Sequence, residues 1–352
     1  MAPTKGLLPG GFREARPLVP GRFRRLILGA LISLTCICAG ASMGSTFIRL
    51  TDTARIIVGR TEGISGRDIS IVRQLRLPRV LLAFMVGGAL AISGAVFQSV
   101  LKNQLASPYI IGVSSGASVG AALVILCGLS LPMLGGFTLP ATGFAAGLLT
   151  VFFVIAFSAR LDPNLSSNTI ILFGMVVSLF VNALLTTMMA LFREELKTLI
   201  LWQMGSFALR GWSYVVMMLP FLVLGAIGLA RYSRELDLLS FGEEEAQTLG
   251  LELRGVRARL FLLGSLLTGA AVALCGAIGF VDLIAPHLSR RLVGPSHRFM
   301  LPMSFFIGGC LMIAADLVAR LIITPAELPV GAVTALIGAP FFAWAYFARS
   351  RR

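Results

Sequence analysis

The sequence predicts an all-α polytopic membrane protein, and three observations carry that prediction. Of 352 residues, 57% are apolar and 13% charged, with a mean hydropathy of +0.89. A soluble domain carries about 25% charged residues, so there are too few charges here to coat a water-facing surface of this size. Apolar runs recur along the chain, most of them long enough to cross a hydrocarbon layer about 30 Å thick. The 38 glycines suit helices that approach closely in lipid, where apolar burial no longer drives association. Disorder is excluded, because it needs low hydrophobicity.

Residues 1–25 are polar and basic (Lys5, Arg13, Arg16, Arg22, Arg24, Arg25) and read as a cytoplasmic tail. The run 26–47 is long enough to span, which favours a first helix over a signal peptide. A polar stretch, 48–78, follows and carries six arginines; it reads as the longest loop. Further spans are expected at 79–101, 109–131, 138–158, 168–192, 213–231, 257–277, 278–293, 301–322 and 329–348, giving ten. The segment 278–293 is short and contains Pro286, the pattern of a broken helix, which must be shielded by protein at membrane depth. Residues 26–352 thus form one transmembrane domain, with 232–256 as a polar excursion.

Ten spans place both termini on one side. With the N-terminus in the cytoplasm, 19 of the 30 Lys and Arg fall inside, as the positive-inside rule favours. The net charge of +14 therefore reports topology, and nucleic acid is not implied. Seven of the eleven outer charges lie between Arg49 and Arg79, against that rule.

Small residues recur at packing intervals: Gly112, Gly116 and Gly120, and Gly87, Ala91 and Ala95. Helix packing is their plain meaning. The stretch from Arg76 through Ser93-Gly94-Ala95 to Pro108 is echoed from Arg257 through Cys275-Gly276-Ala277 to Pro286, in the opposite membrane direction. Such inverted repeats occur in transporters.

Few residues point to chemistry. Five scattered cysteines and two histidines form no metal-ligand or redox spacing, so no metal site, bound cofactor or catalytic residue is expected. Asp316 and Arg320 share a helix face and can pair. Asp282 is a lone carboxylate within an apolar run; an ion-coupled carrier would need convergent carboxylates that the sequence does not supply. In 232–256, Gly242 interrupts a helical pattern and Glu243–Glu245 open a second short helix, where negative charge suits an N-terminus. Its apolar Leu238, Leu239, Phe241 and Leu249 fit either a loop folded on its own bundle or a docking surface. There is no G-x-x-x-x-G-K-[ST] motif, so nucleotide energy would have to come from another subunit.

The motifs Arg76-Leu-Pro-Arg79, Gly94-Ala-Val-Phe-Gln98, Lys102 to Pro108, Gly112-Val-Ser-Ser-Gly116-Ala117, Leu236-Asp-Leu-Leu239 with Gly242-Glu243 and Leu249-Gly250, Gly276 to Phe280, Pro286-His287, His297-Arg298, Ala315-Asp316 with Arg320, and Glu327 to Gly331 occur in order. Together they resemble the permease family for ferric siderophores, haem and cobalamin, the membrane subunits of type II ABC importers. The resemblance covers about residues 26–348. It departs at Gln104, where the family usually has Pro, and at Asp282, where it usually has Gly.

The resemblance implies ten spans, inverted repeats and a dimer of two copies or close paralogues in a bacterial cytoplasmic (inner) membrane. ATP and Mg would bind on two separate cytoplasmic ATPase subunits. Arg76, Arg79 and Arg320 match positions that receive glutamates of an extracytoplasmic binding protein. Leu236, Leu238, Leu239, Gly242, Glu243, Leu249 and Gly250 match the coupling helices that enter the ATPase cleft. Candidate pathway residues are Gln98, Ser114, Asn182, Thr186, Met188, Met189 and Asp282. The expected cargo is a metal chelate, foremost a ferric siderophore, with haem or cobalamin as the alternative.

Overall fold

In lipid, every backbone N–H and C=O must find its partner within the chain, which favours helix for apolar runs of this length. The computed structural model describes residues 21–350 except 45, 193 and 325, with side chains through residue 343. The tail expected over 1–25 lies outside the described residues as far as residue 20. Among the described residues there are helices and no strand.

The chain runs through α1 (Arg22–Ser42), α2 (Leu50–Ile57), α3 (Gly66–Ser70), α4 (Leu77–Val100), α5 (Val113–Ile125), α6 (Thr138–Leu161), α7 (Ser167–Leu191), α8 (Leu196–Gln203), α9 (Trp212–Arg231), α10 (Ser233–Phe241), α11 (Glu243–Thr248), α12 (Leu253–Cys275), α13 (Val281–Val293), α14 (His297–Leu321) and α15 (Val330–Ser350). Seven helical stretches among the described residues are long and apolar enough to cross a membrane. Three of the ten expected spans are shorter: α5 and α13 have 13 residues each, and the described apolar part of α15 is Val330–Ala343.

The expected polar loop 48–78 is largely helical instead. A π-helical stretch, Ile71–Arg76, joins α3 to α4, so one continuous helical run reaches from Gly66 to Val100. Pro78 lies inside this run, directly after the π-helical stretch, where its missing N–H removes one bond from the ladder at the change from π to α geometry.

Helix α4 is the centre of the bundle: 94% of its most apolar window is buried. Its antiparallel neighbour α14 comes so close that a Cβ on Gly87 would collide with the carbonyl of Gly308, and one on Gly308 with that of Gly87. The stripe Gly87–Ala91 is therefore a packing seam. Gly116 and Gly120 serve the same purpose, laying α5 against Thr150 and Thr142 of α6.

The two echoed helices, α4 and α12, pack on each other and run in opposite directions. The Ser93 hydroxyl donates to Gly264 O at 2.7 Å, and the Phe97 and Phe261 ring centroids lie 5.3 Å apart. Both α5 and α13 begin inside the bundle after an unwound turn. The turn before α13 contains Phe280 in the left-handed region (φ 69°). Its backbone is shielded, since Ala277 N–H donates to Gln203 O at 3.2 Å and Ser206 N–H to Cys275 O at 2.8 Å. The interruption expected at Pro286 is not there, since α13 runs through it; the unwound turn lies before α13, with protein on its polar groups.

Candidate functional site

At one end of the bundle, α1, α14 and the start of α4 converge on a cleft of about 770 Å³. Arg67, Arg76, Arg79, Arg210 and Arg320 line it, and Glu327 is the only carboxylate in its lining. The mouth is therefore strongly basic. The three arginines singled out in the sequence meet here, held by bonds to their own chain. Arg76 is 6% exposed, and its guanidinium donates to Ser42 O at 2.6 Å and to Thr46 Oγ1 at 3.0 Å. Arg320 donates to Gly40 O at 3.2 Å. Both cations thus cover the open carbonyls at the C-terminus of α1, where positive charge is favoured.

Arg79 makes the stronger connection. Its Nη2 lies 2.8 Å from Asp316 Oδ1, and its Nη1 2.8 Å from Glu327 Oε1. Arg320 Nε lies 3.1 Å from Asp316 Oδ2, the i,i+4 pair expected from the sequence. Asp316 is 1% exposed, so one buried carboxylate is shared by two guanidinium groups. Glu327 was quoted in the sequence only as part of a motif; its place opposite Arg79 has no sequence signal, because 248 residues separate them.

In the last turn of α4, away from this cleft, Gln98 meets Asp282. Gln98 Nε2 donates to the Asp282 backbone carbonyl at 3.2 Å. The Asp282 side chain, 1% exposed, accepts from the Ser107 hydroxyl in the turn before α5. It sits in the first turn of α13, where a carboxylate complements the helix dipole. Gly94 has no room for a Cβ against the Asp282 backbone. Asp282 therefore ties the starts of α5 and α13 together. No arginine pairs with it among the described residues.

The other candidate pathway residues lie elsewhere. Ser114 is half-buried near the start of α5. Asn182 and Thr186 are exposed on α7, one turn apart. Met188 and Met189 pack partly against a small cluster of Ala121, Leu126, Leu185 and Leu199.

The opposite end of the bundle carries α10 and α11, split at Gly242 as the sequence indicates. Leu236 and Leu239 are fully buried against the bundle and Leu238 is half-buried, whereas Phe241 is 77% exposed and Leu249 67% exposed. Gly250 is left-handed (φ 83°). One face of this stretch is thus folded on its own bundle, and the other is open. Two polar joints hold it. Glu243 Oε1 lies 2.5 Å from Nη2 of Arg257, which is fully buried, and 3.9 Å from Lys102 Nζ. Arg257 Nη1 also donates to Asn164 O at 2.9 Å. Asp237 Oδ1 lies 2.5 Å from His297 Nδ1 and accepts from the His297 backbone N–H at 2.9 Å. Burial works to raise the pKa of Asp237, but these hydrogen bonds outweigh it and hold the carboxyl below its ordinary range. Sequence reasoning missed both joints, since spacing alone does not show which helix ends meet.

Comparison with known proteins identifies the family. The chain is 44% identical over 327 residues to YvrB of Bacillus subtilis (strain 168), an uncharacterized ABC transporter permease, covering 92% of this chain and 93% of that protein. It is 37% identical over 327 residues to HmuU of Yersinia pestis, a hemin transport permease, with 91% and 95% coverage. Other relatives carry names for import of cobalamin, Fe(3+)-citrate and molybdate. A solved ABC transporter assigned to the metal-chelate type, in an inward-facing conformation, superposes with a TM-score of 0.80 at 32% identity. That match covers 92% of this chain and 99% of the other. Residues 31–348 match the model of the FecCD transport family, and this chain is a member of that family, a permease subunit of an ABC importer.

Proposed function

We propose that the protein forms the membrane pathway of an importer for a metal chelate, foremost a ferric siderophore, as a dimer with a second copy or a close paralogue. An extracytoplasmic binding protein delivers cargo to the basic mouth. Two cytoplasmic ATPase subunits take the exposed face of α10–α11, and both termini lie in the cytoplasm. The observation that carries this reading is the polarity of one helix pair. Antiparallel α4 and α14 meet the arginine-lined cleft at one end and α10 at the other. Carboxylates on a binding protein suit such a mouth, because arginine offers bidentate geometry and long-range steering.

Arg76, Arg79 and Arg320 hold α1 and Asp316 in place. On this reading they also face the binding protein's carboxylates, and the exposed Arg67 adds a freer cation for docking.

The test is ATP hydrolysis by the permease–ATPase complex in nanodiscs, with binding proteins loaded with ferric siderophore, haem or cobalamin. One loaded protein is expected to stimulate hydrolysis, and Arg67→Glu to weaken its binding about tenfold, or about 1.4 kcal/mol. Stimulation by haem or cobalamin alone would overturn the siderophore assignment. Solute uptake by the chain without any ATPase would overturn the importer mechanism.

A further inference from the structure

The joint at Asp237 joins three helices. Asp237 of α10 meets both the Nδ1 and the backbone N–H of His297, the first residue of α14. The Ser296 hydroxyl donates to the second carboxylate oxygen at 3.2 Å. On its other side, His297 Nε2 lies 2.6 Å from Oγ of Ser99 in the last turn of α4. His297 is 2% exposed and Ser99 9%.

Ser99 Oγ also lies 2.9 Å from Ala95 O. A hydroxyl has one proton to give. With that proton on Ala95 O, Ser99 accepts from an imidazolium Nε2–H. With it on His297, the ring is neutral and accepts. The chain of contacts closes with either donor assignment, so α10, α14 and α4 stay joined in both.

What lies beyond the joint gives it reach. Helices α4 and α14 are locked by the glycine seam at mid-membrane and by Arg79–Asp316 at the far end. They form one stiff body from α10 to the basic mouth, because close-packed interfaces resist continuous deformation. The second joint, Glu243–Arg257, ties α11 to a different helix, α12.

We infer that Asp237, His297 and Ser99 form the linkage through which α10 moves α4 and α14 together, which makes His297 a positioning residue for the transmission of ATP-driven motion to the mouth. This rests on the reading of α10–α11 as the ATPase-facing surface.

The test uses the full permease–ATPase complex with its binding protein in proteoliposomes, measuring uptake and ATP hydrolysis in the same vesicles. His297→Gln and Asp237→Asn are each expected to lower uptake per ATP hydrolysed about tenfold, the scale of a lost hydrogen bond to a charged group. The double variant should lose no more than either alone, since residues of one unit are non-additive. Ser99→Ala, which leaves the Asp237–His297 contact in place, should lower the ratio about threefold by freeing α4 alone.

Uptake and hydrolysis falling in proportion, or losses that multiply in the double variant, would overturn the linkage. If the polar variants fail to fold, an unchanged ratio in Ser99→Ala overturns it. Phe241→Asp separates the two levels. Release of the ATPase supports the surface reading; retention takes down that reading and the linkage with it.

Discussion

At the scale of single residues, the basic mouth depends on one buried carboxylate. Asp316 receives Arg79 from α4 and Arg320 from its own helix. Arg79→Gln removes the cross-helix partner and is expected to cost about 2–3 kcal/mol, read as a lower unfolding midpoint in detergent. Asp237 gives a pH-dependent prediction. Its folded pKa lies below the ordinary carboxylate value, so its contribution is fully present above the unfolded pKa, about 3.9, and is lost as pH falls through the folded value. Hydrogen-exchange protection of α10 relative to α14 is expected to drop below about pH 4. The i,i+4 pair Asp316–Arg320 was legible in the sequence because helical spacing dictates it. Arg79–Asp316 and Asp237–His297 were not, because nothing local in a chain records which helix ends will meet.

At the scale of helices, hydropathy located the crossings better than it measured them. The run at 109–131 reads as a full span, yet α5 ends at Ile125. The apolar residues that follow are interrupted by Gly128, Pro132 and Gly135, of which Gly128 and Gly135 have positive φ. Hydropathy records preference for lipid or protein over water and not backbone conformation. The helical content of 48–78 was hidden for the opposite reason: α2 and α3 are short and carry arginines, so no apolar run marks them. The glycine stripes were legible as packing surfaces, but their partners were not. Gly87→Ala is expected to cost about 1–3 kcal/mol, because the new Cβ meets the Gly308 backbone and neither helix can yield alone. Gly136→Ala, with open space around it, is the control and should be near neutral in the same unfolding assay.

At the scale of the whole molecule, composition was enough to identify a polytopic membrane protein, and ordered motifs were enough to identify its family. The arrangement of helices was not legible, because spans of similar hydropathy occupy opposite environments. The most apolar window of α4 has a mean hydropathy of 2.3 and is 94% buried; that around α6 has 2.0 and is 22% buried. One helix is solvated by protein and the other presents Leu149, Phe152 and Leu161 outward. This difference sets how each can vary. In a saturation substitution library scored by membrane abundance, α4 should reject changes of volume even among apolar residues, Ala91→Leu as firmly as Ala91→Asp. The outward face of α6 should accept Leu149→Phe or Leu149→Val and reject Leu149→Asp. Two segments that look alike to the machinery inserting them would thus drift under different rules, one constrained by shape and the other by polarity.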